Sequence, residues 1–428
     1  MTKNCPAILI SAPASGQGKT TVTAALAYFF RQQNLNVRVF KTGPDFIDPQ
    51  ILAFASENPV YQLDVWMMGE AHCRELLYRA ACDADVILIE GVMGLFDGES
   101  SSAKLAQMLG VPVAAVIDAK GMAQTFAAIA FGLANYQPNL PFAGVIANNV
   151  GSESHAKLLA DSLPENLPLL AVLSKSSEID LPSRHLGLWQ AAEIDDLEIR
   201  LAKAAELLTQ FIPCKLPPAV KFESIETPTI PKLLTGKKIA ISRDAAFSFL
   251  YQANLDCLQA MGAELVFFSP LTDIELPDVD SVYLCGGYPE LHLQTLENNH
   301  AMKHALKNHY QANKPIYAEC GGFLYLLKHL SDKNGQQGEM VGLLNGVARL
   351  QKRLVNLGMH SLILENGEIR GHSFHHSQIE TTLKPSAISE PQSARKQPES
   401  FYSQGSIRAS YLHLYFPFNP QLAAGFFS

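Results

Sequence analysis

The stretch from Ile8 to Ala27, ILISAPASGQGKTTVTAALA, decides how the first half of the chain is read. An apolar, β-branched run enters a loop of small residues, and Lys19-Thr20-Thr21 opens an alanine-rich segment. That order spells strand, phosphate loop and helix. In such a loop successive backbone N–H groups wrap phosphate oxygens, and the following helix points its positive end at them. Ser15, Gly16, Gln17, Gly18, Lys19, Thr20 and Thr21 are therefore the candidate ATP-binding residues. Lys19 would reach the outer phosphates, and the Thr20 hydroxyl would ligate Mg²⁺. The pattern GxxxxGK[ST] asks for glycine where this chain has Pro13. Gly16 and Gly18 keep the end of the loop pliable, so it reads as a variant loop.

Outward from this stretch, strand-like runs alternate with helical ones: AILISA, NVRVFK, DVILIE, VPVAAVID, FAGVIANN and PLLAVL. Short β-branched runs separated by helices imply a mostly parallel sheet covered on both faces. Ligands in such sheets sit at the carboxyl ends of the strands. Three polar clusters fall there: KTGPDFIDP at 41–49, EGVMGLFDG at 90–98 and NNVGS at 148–152. Asp45 and Asp48 are turn formers between prolines or acids that hold Mg²⁺ or orient a substrate. Glu90 follows four apolar residues, which places a second metal-facing carboxylate beside the loop, where an unpaired charge would be costly. Asn148 is either a cap or a reader of an adenine edge.

The whole chain has 428 residues, enough for two or three domains, and 47% hydrophobic residues, enough for ordinary cores. A net charge of −8 and the absence of basic runs argue against nucleic-acid binding. The apolar runs are too short to cross a bilayer. A signal peptide would have to destroy the phosphate loop, and the seven cysteines lack CxxC spacing. Reduced thiols and a cytoplasmic location follow as expectations.

The boundaries expected are a nucleotide-binding domain at 1–211, a Pro-rich linker at 212–235 and a second domain at 236–428. The segment 212–232 carries five prolines and no periodicity. A new strand series follows: KKIAISR, ELVFFS, SVYLCGG and KPIYAEC. The last enters Cys320-Gly321-Gly322 and then a helix, an elbow that exposes the sulfur and favours thiolate. Gly321 N–H would supply half of an oxyanion hole, and Gly287 of the CGGYPE stretch the other half. Of thirteen histidines, His413 in ASYLHLYFPFNP is the candidate base for Cys320. The other cysteines read as packing. His372, His375 and His376 lack accompanying ligands for a metal and are expected on a surface facing the other domain or the substrate. They flank a hairpin turn at Glu365–Glu368. The segment from Lys384 to Gln404 is expected to be an exposed, mobile loop.

These residues resemble a family. The stretches FKTGPDFIDPQIL, PVYQLDVWM, EGVMGLFDG and GVIANNVGSESHAKLL are similar to the cobyrinate or hydrogenobyrinate a,c-diamide synthases. LCGGYPELH, KPIYAECGGFLYL, GHSFHHSQI and SYLHLYF are similar to the class I glutamine amidotransferases fused to them. The resemblance implies an α/β chain. A P-loop synthetase domain of the dethiobiotin-synthetase type precedes a flavodoxin-like amidotransferase domain. It implies a ligase of cobalamin biosynthesis that uses ATP, Mg²⁺, L-glutamine and a corrinoid. Lys19 and Thr20 would handle ATP and Mg²⁺; Asp48 and Glu90 would be the metal-side acids; Lys41, Asp45 and Asp97 would face the substrate. Cys320 would attack glutamine with His413 raising its nucleophilicity. Relatives often carry arginine at position 149 and many class I members a glutamate two residues after the histidine. Here those positions hold Asn149 and Tyr415, so no complete Cys-His-Glu triad is expected. Rival readings are a nickel-sirohydrochlorin a,c-diamide synthase, a cobyric acid synthase and a MinD-type P-loop ATPase. A homodimer is the assembly to test.

Overall fold

The apolar runs of the first half need cover on both faces, and a parallel sheet provides it. The computed structural model describes residues 1–184, 187–226 and 228–428, which divide into two units, Met1–Thr227 and Pro228–Ser428. In the first unit the strands are β1 (Thr2–Ser11), β2 (Val37–Thr42), β3 (Tyr61–Leu63), β4 (Val86–Glu90), β5 (Val113–Asp118), β6 (Phe142–Val150), β7 (Leu169–Ser174) and β8 (Ala219–Glu223). They lie in the order β3-β2-β4-β1-β5-β6-β7, all parallel, with β8 antiparallel along the first half of β1. The chain passes from β1 to neighbours on both sides, so the loop after β1 opens at the switch point where such sheets take ligands. Register matters here: Ile10 pairs with Glu90, and Glu90 with Lys41. Same-row residues of adjacent strands point to the same face, so lysine and carboxylate end side by side.

Strand β8 corrects the expected linker. Within 212–235, of which 227 lies outside the described residues, Ala219–Glu223 pairs with Thr2–Pro6. The reason is a short period-2 pattern, AVKFE: Val220 and Phe222 are buried while Ala219, Lys221 and Glu223 face out. The surrounding prolines hid it.

The second unit holds β9 (Lys238–Ser242), β10 (Glu264–Phe268), β11 (Ser281–Leu284), β12 (Ile316–Glu319), β13 (Asn356–Leu364), β14 (Gly367–His375), β15 (Ala387–Ile388), β16 (Ser400–Gln404), β17 (Ile407–Ser410) and β18 (His413–Leu414). One sheet has the order β10-β9-β11-β12-β17-β16-β15, parallel from β10 to β17. A second sheet sets β14 between β13 and β18, and the turn at Leu364–Gly367 closes the expected hairpin. The segment Lys384–Gln404 is not a free loop. It carries β15, the two-residue strand Glu390–Pro391 and all of β16, while Ser389, Glu399 and Phe401 are buried. Its exposed stretches are its start, 384–386, and its middle, 394–398. Composition missed it because three buried side chains anchor an otherwise polar run. Among the described residues no helix is long and apolar enough to cross a membrane.

Candidate functional site

In the first unit the loop between β1 and α1 (Lys19–Gln32) turns on two glycines. Gly16 and Gly18 have φ of 79° and 90°, the left-handed region that favours glycine. A Cβ on Gly18 would lie 2.1 Å from Asn148 Nδ2. That amide donates to Gln17 O at 2.9 Å, and its Oδ1 accepts from Asn149 N–H at 2.9 Å. Gln17 Oε1 in turn accepts from Asp118 N–H. Of the two expectations for Asn148, these bonds are those of a cap, and base reading stays a proposal. Both ends of its amide hold backbone, and it braces the loop from β6. Ser15 and Gly16 are exposed and Thr21 is half-buried.

The 90–98 segment lies along this loop. Gly91 N–H donates to Ile10 O and Leu95 N–H to Ala12 O, both at 2.8 Å. Lys19 Nζ donates to Met93 O at 2.7 Å. Burial, then the neighbouring charge of Lys41, lowers the Lys19 pKa from its ordinary value. Asp97 is exposed, and its Oδ2 closes a turn by accepting from Gly94 N–H.

Lys41 ties the acids together. Its Nζ donates to Asp48 Oδ2 at 2.7 Å and to Glu90 Oε1 at 2.9 Å, with Asp45 Oδ2 at 3.9 Å. Burial works against its charge, but Glu90, Asp48 and Asp45 outweigh it and raise its pKa. Burial would also raise Asp48, yet the charge and hydrogen bond of Lys41 bring it below the usual carboxylate range. Burial raises Glu90, with Lys41 opposing and Asp48 adding. Asp45, pushed up to about 7 by burial and then by Asp48, also accepts from the N–H groups of Ile47 and Asp48. It thereby turns the chain into α2 (Asp48–Ser56), as a turn former does.

Thr20 Oγ1 donates to Glu90 Oε1 at 2.7 Å, and Glu90 Oε2 is buried without a hydrogen-bond partner. An orphaned carboxylate oxygen beside a threonine hydroxyl is costly unless it meets a cation. An oxygen-only donor set of Thr20, Glu90 and Asp48 suits a hard divalent ion. The residues present fit Mg²⁺.

In the second unit β12 ends at Glu319, and Cys320 makes the turn into α3 (Gly321–Leu326) with φ 44° and ψ −107°. A non-glycine residue in that region is strained, as at other nucleophile turns. The four glycines nearby are required by closeness. A Cβ on Gly321 would lie 2.8 Å from Gly287 N, on Gly287 2.0 Å from Ala246 O, on Gly322 2.2 Å from Leu284 O and on Gly286 2.3 Å from His413 Cε1. The backbones of Gly287 and Gly321 therefore adjoin, and His413 packs against the neighbouring Gly286. Enclosure works against the thiolate that the elbow favours. Burial first, then Glu290, raises the Cys320 thiol above its ordinary pKa, and a hydrogen bond from Gly321 offsets only part. Cys285 is buried against Ser242 and likewise raised, mainly by burial.

His413 is buried on β18 and faces His372 of β14 across the ladder, the rings stacked at 5.0 Å between centroids. His372 Nδ1 meets Tyr251 OH at 2.7 Å. His375 meets Ser377 O and Glu399 Oε1 and stacks on Tyr411. Both are buried, and only His376 is half-exposed, so this trio is not the surface that was expected. Tyr251 covers His372 and Tyr411 covers His375, which encloses both rings. Glu319 was passed over in the sequence. Its Oε2 lies 3.8 Å from His413 Nδ1. The available signal was its place immediately before the cysteine, in Ala-Glu-Cys-Gly-Gly.

Comparison with known proteins meets these two sites in turn. Residues 8–188 match the family described as the CobQ/CobB/MinD/ParA nucleotide binding domain. Residues 238–420 match the CobB/CobQ-like glutamine amidotransferase domain. A protein of Stutzerimonas stutzeri named hydrogenobyrinate a,c-diamide synthase is 56% identical, over 99% of this chain and 98% of its own. The protein of that name from Pseudomonas aeruginosa is 55% identical, over 98% and 97%. A cobyrinate a,c-diamide synthase of Herminiimonas arsenicoxydans is 48% identical, over 100% and 98%. With the likeness running through both the phosphate loop and the cysteine elbow, the chain belongs to the cobyrinate/hydrogenobyrinate a,c-diamide synthase family of glutamine-hydrolysing ligases.

Proposed function

We propose that this chain amidates the a and c acetate carboxylates of hydrogenobyrinate, taking nitrogen from glutamine and driving force from ATP. The observation that carries the reading is the presence, in one chain, of a phosphate loop with a lysine-acid cluster and of a strained cysteine among close glycines. Two chemistries in one chain need a common product. Ammonia does not displace oxide from a free carboxylate, so the carboxylate must first be made electrophilic. Its oxygen attacks the γ-phosphorus of ATP, ADP leaves, and the acyl phosphate is then opened by ammonia with release of phosphate.

In this reading the loop N–H groups and Lys19 hold the phosphates and stabilise charge on the transferring group. Lys41 and Asp45 lie on the substrate side, with Asp97 at the exposed rim. Thr20, Glu90 and Asp48 would hold Mg²⁺, which when bound neutralises charge on the phosphate oxygens. Replacing Glu90 by Gln and Asp48 by Asn removes anionic ligands at constant volume. The Mg²⁺ concentration for half-maximal turnover should then rise at least about tenfold, and an unchanged requirement in both variants argues against the assignment. Cys320 attacks glutamine, His413 is its base, and the N–H groups of Gly287 and Gly321 receive the oxyanion. Seven free cysteines support a reducing, cytoplasmic setting.

Greater identity to the two hydrogenobyrinate enzymes than to the cobyrinate one favours the cobalt-free ring. The test is to supply each ring with ATP, Mg²⁺ and glutamine and to count added amides by mass spectrometry. Two amides on hydrogenobyrinate, and fewer or slower on cobyrinate, is the expected result. Two amides on the cobalt ring alone would reverse the choice.

A further inference from the structure

We infer that Glu319 is the positioning acid of the glutaminase centre, acting through His413 from the residue just before the nucleophile. The inference rests on the glutamine-hydrolysing reading above. A cysteine whose thiol is held protonated by burial and by Glu290 needs a base that can accept a full charge in a closed site. His413 is 1% exposed, so the imidazolium formed there has little water to stabilise it. Position 415, where an acid was sought, holds Tyr415, fully buried and packed edge-on against Tyr251.

Glu319 supplies what that position lacks. It is 2% exposed, and its Oε2 stands 3.8 Å from His413 Nδ1. Three donors fix the carboxylate: Tyr283 OH to Oε2 at 2.7 Å, Tyr317 OH to Oε1 at 2.7 Å and Leu414 N–H to Oε1 at 3.0 Å. The last comes from the residue after His413, so the acid also sets the position of the strand that carries the base. Direct hydrogen-bond length is exceeded, which makes the contact chiefly electrostatic.

In the reaction the Cys320 S–H proton passes to Nε2 of His413, and the sulfur attacks the carboxamide carbon of glutamine. The resulting oxyanion collapses as the imidazolium returns that proton to the leaving nitrogen, the C–N bond breaks, and ammonia departs from a glutamyl thioester. Water, deprotonated by His413, then cleaves the thioester to glutamate and restores the thiol. Glu319 takes no part in these proton transfers and only orients the imidazole, as the acid of an analogous serine-histidine pair does.

The experiment measures glutamine-driven and ammonium-driven diamide synthesis in the full chain. Glu319→Gln keeps the size and an acceptor for Leu414 N–H. Its kcat with glutamine should fall about 10- to 100-fold, less than loss of a directly bonded acid. Its KM for glutamine should stay within about twofold, because the ion pair forms only after the proton moves. Ammonium-driven synthesis should be unchanged. A glutamine-driven kcat within about threefold of wild type, or a loss carried by KM, overturns the inference. Should Glu319→Gln lose its cooperative unfolding transition, Tyr283→Phe decides. Removing one donor to Oε2 should lower kcat about three- to tenfold at constant KM, and an unchanged kcat overturns the inference. Failure of the glutamine-hydrolysing reading itself would show separately, as wild type that makes amide from ammonium but never from glutamine.

Discussion

Two strand-to-helix turns carry the chemistry of this protein, and they use glycine for opposite reasons. At the phosphate loop Gly16 and Gly18 take left-handed backbone so that N–H groups can converge on a ligand. At the cysteine elbow the left-handed residue is Cys320 itself, and the surrounding glycines are there because neighbouring backbone comes within Cβ distance. The first turn faces outward, with Ser15 and Gly16 exposed; the second is enclosed, with Cys320 6% exposed. A loop that must grip a large anion is built from pliable, accessible backbone. A nucleophile that must meet one small amide is held by a strained turn in a fixed wall. The electrostatics differ in the same sense. Lys41 gathers three acids at the first site, whereas the charges that raise the thiol at the second are those of Glu290, Glu399 and Glu319.

The largest test of this contrast separates the two half-reactions. Cys320→Ala should reduce glutamine-driven synthesis by about 10³- to 10⁴-fold while high ammonium restores it, since the nucleophile serves only ammonia release. Lys19→Ala should abolish synthesis with either nitrogen source, because its phosphate contact stabilises transferring charge. Ammonium-driven activity surviving in Lys19→Ala would break the comparison.

Next in size is a stability effect. Phe401, 1% exposed and part of the second core, anchors the segment that composition marks as mobile. Phe401→Ala should cost about 3–5 kcal/mol of stability in the second unit, measured by denaturant unfolding. A cost below about 1 kcal/mol would make this segment a surface loop after all.

Gly18→Ala sharpens the comparison at a smaller scale. Left-handed backbone and the 2.1 Å approach to Asn148 should together cost about 1–3 kcal/mol and weaken ATP binding, read by nucleotide titration. The same change with Asn148→Ala, which removes the obstructing amide, should recover part of the loss.

The smallest expected effect is a pH dependence. The folded-state pKa of Asp45 is raised from 3.8 to about 7. An acid with a raised folded pKa contributes stability that is complete below the unfolded value and is lost as pH climbs through the folded one. Unfolding free energy of the first unit should therefore decline between about pH 4 and 7. The Asp45→Asn variant should flatten that decline, and an identical slope would remove Asp45 as its source.

β-branched apolar runs, the Lys-Thr pair after small residues and the cysteine before two glycines are local patterns, so most strands, both turns and the candidate residues Lys19, Thr20, Cys320 and His413 were legible in the chain itself. The ordering of strands placed Ile10, Glu90 and Lys41 in one row, and no local pattern encodes which strands become neighbours. The same holds for Asn148, whose amide meets the loop from 131 residues away, and for the capture of Ala219–Glu223 by β1. The thiol of Cys320 is raised because folding removes water and brings Glu290 near, neither of which a turn motif contains. Glu319 sits beside the cysteine in sequence, yet its position against His413 depends on β12 and β18 meeting across 94 residues of chain. Local chemistry needs only neighbours along the chain to be read, whereas burial and charge pairing are sums over neighbours in space, and only the tertiary structure decided those.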